Sequence, residues 1–178
     1  MSARTTTPQP GANSPILGGH DAASRQLERS DLALAYGLLR LALGVNILMH
    51  GLVPIMGGVE AFAAAMVRQF TPTILPPALV GAFGTVLPII QLAIGALLIV
   101  GAFTRVALVA GELVIIGLVF GTSLLPNSGT SVSLQMLYAL IYAVLLALAR
   151  ANAYSVDALR ARRRAGVRPG PEPRATRA

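Results

Sequence analysis

Residues 78–101 read ALVGAFGTVLPIIQLAIGALLIVG, an unbroken apolar stretch without a charged residue, in which Gln91 is the one strongly polar side chain. Its length matches the ~20 residues with which a helix crosses a ~30 Å hydrocarbon layer. The apolar residues are continuous, not alternating, which argues against a barrel strand. A helix also satisfies its own backbone groups where lipid offers no partner. Outward from this stretch lie three comparable segments, at residues 32–54, 106–125 and 132–149. With 54% hydrophobic and 12% charged residues in a chain of 178, a soluble globule is excluded. The expected fold is an all-α membrane protein: a four-transmembrane-helix bundle with a short interfacial helix in the first external loop and disordered tails. Its expected divisions are a disordered cytoplasmic N-terminal tail at residues 1–30, the four-helix domain at 31–159, and a disordered Arg-rich cytoplasmic tail at 160–178.

The charges set the orientation. Arg4, Arg25 and Arg29 precede the first span, Arg105 lies in the tight turn between the second and third, and Arg160, Arg162, Arg163 and Arg164 follow the fourth. The second external connection, residues 125–130, has no charge, and the first carries Arg68 against Glu60. The positive-inside rule therefore places both termini in the cytoplasm of a multi-pass protein of the bacterial inner membrane. No apolar run near the N-terminus is long enough for a cleavable signal. The C-terminal arginines lack interleaved aromatics and any nucleic-acid motif, so anionic lipid or a protein partner is the expected contact, and nucleic acid is not.

The chain has no cysteine, which excludes disulfides and thiolate metal ligands. No second His or Cys accompanies His50 on its helix, and no metal site is expected. Electron transfer would then require a bound molecule or a partner. In the first external connection, Val59, Phe62, Ala63, Met66 and Phe70 recur at helical spacing before Pro72, Pro76 and Pro77 interrupt the pattern. A short helix is expected there, its apolar stripe lying on lipid in preference to capping the mouth of the bundle.

Helical geometry sorts the first span into two halves. Leu38, Leu41, Ala42, Val45, Leu48, Met49, Leu52 and Val53 fill one, and Gly37, Arg40, Gly44, Asn46, His50 and Gly51 the other. Glycines on the second half allow a neighbouring backbone to approach closely. In the second span Gly81, Gly84, Pro88, Gln91 and Gly95 form a narrower stripe, with Pro88 removing one ladder hydrogen bond. Counting ~1.5 Å per residue puts Arg40, Gln91, Glu112 and Tyr142 at one depth. A second polar group, Asn46, His50, Gln135 and Tyr138, lies nearer the outer face. Intramembrane charges turn inward and find partners, so an Arg40–Glu112 pair is expected, serving either helix register or a ligand; Arg40 snorkelling to headgroups is the alternative. His50 reads as a donor or proton acceptor for a quinone-like carbonyl, or as a satisfied helix neighbour. Tyr138 and Tyr142 read as bundle packing.

Taken together, LLRLALG at residues 38–44, His50-Gly51, GALLIVGAFTR at 95–105 and AYSVD at 153–157 resemble the DoxX family of small bacterial membrane proteins. The resemblance covers residues 32–159. It implies a four-helix membrane fold and kinship with the small subunits of thiosulfate:quinone oxidoreductase. Arg40, His50 and Gly51 match the family's first-helix motif, and residues 101–105 its second-helix exit. Gln91 stands where relatives carry an acidic residue, and Pro54 where they place a Lys.

The resulting expectation is a quinone-interacting subunit of a membrane redox complex. Arg40, Asn46, His50, Gln91, Glu112, Gln135, Tyr138 and Tyr142 would line the site, with no covalently bound cofactor and with quinone as the candidate ligand. The chain shows no nucleotide loop, cluster ligands or haem motif, so it would be a non-autonomous oxidoreductase subunit needing a protein partner, or part of a homo-oligomer. The alternative is a noncatalytic scaffold docking soluble partners or anionic lipid through Arg160, Arg162, Arg163 and Arg164. A small transporter is a third reading, for which no inverted repeat is visible.

Overall fold

The computed structural model describes residues 15–166 and is helical throughout, with helices α1 (Pro15–Gly57), α2 (Val59–Phe70), α3 (Pro77–Val100), α4 (Thr104–Ser123), α5 (Gly129–Ala147) and α6 (Val156–Gly166). A single 3-10 turn, Ala149–Ala151, leads from α5 toward α6. Four of the helices, α1, α3, α4 and α5, are long and apolar enough to cross a membrane. The protein is a multi-pass four-helix membrane bundle with one short helix between its first two spans.

The short connections follow from local chemistry. Gly57 and Gly58 end α1, and Gly58 takes a φ of 98° that favours glycine. Pro77 opens α3 at a position where its missing N–H costs nothing. Gly101 ends α3 in the left-handed conformation, and the amides of Gly101 and Ala102 both return to the Leu97 carbonyl. Helix α1 begins at Pro15, continuous with the first span, although its residues 24–32 are all exposed. At the other end, residues 160–166 belong to α6. Hydropathy marks where a helix enters lipid, whereas a helix continues past that point as long as its backbone ladder does. The remaining tail residues, 1–14 and 167–178, lie outside the described residues.

The most extensive helix pair is α1 with α3. Their backbones meet through glycines. A Cβ on Gly51 would lie 2.5 Å from the Leu92 amide nitrogen, and one on Gly95 would lie 2.6 Å from the Leu48 Cα. With lipid on the outside there is little hydrophobic gain in helix association, so this close backbone contact and its dispersion energy hold the pair. The sorting of α1 holds in part: Leu38, Leu41, Ala42, Val45, Met49 and Val53 are exposed to the surroundings, and Arg40, Gly44 and Gly51 are buried. But His50 of the inward half is exposed, and Leu48 of the outward half packs on Gly95. Tyr36, Leu43, Ile47, Leu98, Leu108, Tyr142 and Leu145 belong to the core.

Helix α2 corrects one expectation. Its apolar stripe does not lie on lipid. Ala63 is buried and packs with Met66 over Gly84 of α3, and Phe70 reaches Gly121 of α4. The helix caps one end of the bundle because glycines on both neighbours leave room for its side chains.

Candidate functional site

Arg40, Gln91, Glu112 and Tyr142 do not form the shared layer that depth along the helices suggests. The two ends of the bundle divide them.

At the α2 end lies a cavity of about 750 Å³. Helix α1 contributes His50 and Pro54, α2 contributes Phe62, Met66 and Phe70, and the first half of α3 contributes Phe83, Leu87 and Gln91. The end of α4 adds Phe120 and Thr122, and α5 adds Gln135. The volume is that of a small-molecule site, and the mostly apolar walls with a few placed polar groups are typical of one. Gln91 is 6% exposed, yet its carboxamide makes no hydrogen bond with any described protein group. Because Gln91 lines the cavity, its carboxamide is available to a ligand polar atom. Opposite it, the Thr122 hydroxyl lies 2.7 Å from Gln135 Oε1 and also contacts the Leu118 carbonyl. His50 Nδ1 is 2.9 Å from the Asn46 carbonyl oxygen one turn earlier, and its ring meets the Tyr138 ring edge-on at 6.5 Å between centroids.

Proline shapes the same end. Pro54 in α1 and Pro88 in α3 lack the N–H that would bond to the carbonyls of His50 and Gly84. Two backbone acceptors near the cavity are thereby released from their ladders.

At the other end the chain is cross-linked by hydrogen bonds around a smaller pocket of about 360 Å³. Arg40 is 5% exposed, and its Nη2 donates to the Tyr154 carbonyl at 2.8 Å. The guanidinium lies against Gly101, where any Cβ would collide with it. Its Nε and Nη1 are buried without partners, as is Oε2 of Glu112. All three guanidinium nitrogens are thus accounted for, and none reaches Glu112. The expected Arg40–Glu112 pair does not form; the segment after α5 folds back over the α3–α4 turn and supplies a nearer acceptor. Snorkelling is likewise replaced by burial.

Asp157 completes this cluster. Its carboxylate accepts from the amides of Phe103 at 3.0 Å and Thr104 at 2.8 Å, which are unsatisfied donors at the start of α4. Its own amide donates to the Gly101 carbonyl at 3.1 Å. Burial works to raise the Asp157 carboxyl, but the Thr104 amide and hydroxyl, the Phe103 amide and the nearby Arg160 charge outweigh it and hold the group below its ordinary value. Ser155 caps α6 by accepting from the Ala158 amide at 3.1 Å, Asn152 donates to the Thr104 hydroxyl at 3.2 Å, and Tyr154 packs on Gly37. Arg160 sits over the Phe103 ring, 5.5 Å from its centroid.

No protein-family model, curated protein or solved structure matches this chain.

Of the residues expected to line a site, the structure brings His50, Gln91 and Gln135 to the cavity. Asn46 and Tyr138 stand behind His50, the first through its carbonyl and the second through its ring. Tyr142 is fully buried in the core against Gly111, one residue from Glu112, and neither Tyr142 nor Glu112 lines the cavity. Arg40 belongs to the opposite end. Of the tail arginines, Arg160 and Arg163 are exposed on α6, and the side chains of Arg162 and Arg164 lie outside the described residues. Sequence reading missed Thr122, and it named Asp157 only within the AYSVD stretch, without a role. Thr122 has no local signature. Asp157 follows Ser155 in a helix-start pattern, but the helix it caps begins 53 residues earlier, which no local rule detects.

Proposed function

We propose that this chain is a DoxX-like membrane subunit whose α2-end cavity holds a quinone, serving a redox complex in which a partner protein supplies the electron-transfer centre. The observation that carries the reading is a largely apolar cavity of about 750 Å³ within a membrane bundle, with the unpartnered Gln91 amide, His50 and the Thr122–Gln135 pair on its walls. A ligand reaching such a site from lipid must be mostly apolar. To use the polar groups it must also carry a few oxygen atoms. A substituted benzoquinone with an alkyl chain satisfies both demands: its ring fits among Phe62, Phe83 and Phe120, and its oxygens meet the two carboxamides.

The test is binding to the purified full-length protein. Adding a short-chain benzoquinone to the protein in neutral detergent should raise its melting temperature, and a photoreactive quinone should label α2 or α3. Neither effect at saturating quinone would end this reading.

A second reading has its own support, since α6 is seated on the bundle through Asp157, Ser155 and Arg160 with Arg163 exposed. This basic helix could serve as a scaffold surface for anionic lipid or an acidic partner. Deleting the residues after Leu159 should then remove such contacts and leave quinone binding at the other end intact.

A further inference from the structure

The hydrogen bond behind His50 fixes what its exposed edge can offer. Nδ1 lies 2.9 Å from the Asn46 carbonyl oxygen, which can only accept. Nδ1 must therefore carry the hydrogen. A neutral imidazole has one N–H, so Nε2 is left with a bare lone pair, and no described protein group donates to it. His50 lines the cavity, which presents an acceptor at this point.

The other polar groups are less selective. The Gln91 carboxamide is unpartnered and offers both a donor and an acceptor. Gln135 pairs with the Thr122 hydroxyl, which also contacts the Leu118 carbonyl, and the other end of its carboxamide stays available to a ligand. A quinone oxygen and a quinol oxygen can both accept from these amides. They differ at His50: a quinone carbonyl is acceptor-only and faces the lone pair without a bond, whereas a quinol O–H donates to it.

Resting on the quinone reading above, we infer that His50 makes the cavity selective for the reduced, hydroxyl-bearing form of its ligand, so that quinol binds more tightly than quinone. Bonding a quinone carbonyl at His50 would require either moving the proton to Nε2, with loss of the Asn46 bond, or adding a second proton to the ring. The loss of one such bond corresponds to about a tenfold difference in affinity.

The experiment compares a short-chain benzoquinone with its two-electron-reduced quinol, titrated anaerobically at neutral pH into the full-length protein in neutral-lipid nanodiscs, with calorimetric readout. Wild-type protein should bind the quinol about tenfold more tightly. His50→Leu should bring the two affinities together by weakening the quinol. If that variant fails to fold, His50→Gln serves, because a rotatable carboxamide presents either a donor or an acceptor. Equal affinities in the wild type, tighter quinone, or a quinol preference that survives substitution at His50 would overturn the inference and leave the quinone site standing. Binding of neither form would remove the site itself.

Discussion

The two ends of this bundle solve the problem of polar groups in a membrane protein in opposite ways. At the α6 end, Arg40 Nη2 and the Asp157 carboxylate are engaged by backbone atoms of distant segments, beside a smaller pocket of about 360 Å³ between Thr104, Asn152 and Asp157. At the α2 end, Gln91 and the outer edge of His50 face an open cavity with no protein partner. Charged groups bond strongly to fixed dipoles, and their geometry suits a structural lock. Neutral amides and an imidazole cost less to leave unsatisfied, which suits a site that must exchange its ligand. A charge within an apolar span is therefore not by itself a marker of the binding site in this protein: Arg40, the most conspicuous candidate in the sequence, fastens the end of the bundle.

This division has measurable consequences. The largest effect should come from Gly101→Val, which strikes the α6 end twice. The residue has a φ of 70°, and the new side chain would collide with the Arg40 guanidinium and lie within 2.6 Å of the Ser155 Cβ. A loss of about 3 kcal/mol is expected, read as helix loss by circular dichroism during denaturant titration in mixed micelles. Near-wild-type stability would mean that the surroundings of Gly101 are less tightly packed than its contacts indicate.

Next is Arg40→Met, which removes a charged donor from the Tyr154 carbonyl and should loosen the docked segment by about 2 kcal/mol. Trypsin should then cut faster after Arg160. Global stability should fall by less, because two buried guanidinium nitrogens without partners disappear as well. Quinone or quinol affinity should be unchanged, and a large loss of affinity would show that the two ends are not separate.

The converse variant is Gln91→Leu. It should weaken ligand binding by about tenfold while leaving the melting temperature of the empty protein equal or higher, since it removes an unpartnered amide.

Asp157→Ala should release α6 by about 1 kcal/mol, the usual cost of a lost helix cap, detectable as faster hydrogen exchange of α6 amides. The pH dependence has a definite sign. Because the folded protein holds the Asp157 carboxyl below its ordinary value, its contribution is present at neutral pH and is lost as pH falls through that depressed value. With intrinsic exchange rates divided out, α6 protection should decline toward acid in the wild type and stay flat in the variant.

The smallest effect belongs to Gly117→Ala on the cavity side, where a Cβ meets nothing within 4 Å. It should stabilise α4 by about 0.5 kcal/mol by restricting the unfolded chain. A clear loss instead would indicate a closed or differently packed cavity.

From the sequence alone, the number of crossings and the outward face of the first span were determined. Length, continuous hydropathy and the 3.6-residue period are local properties, and lipid imposes them on each segment separately. The inward direction of Arg40, Gly44 and Gly51 could be read in the same way. What Arg40 touches, which helix Asp157 caps and whether α2 meets lipid or protein were decided by tertiary structure. Those outcomes depend on where segments far apart in the chain come to rest, and a polar group bonds to the nearest suitable partner in space.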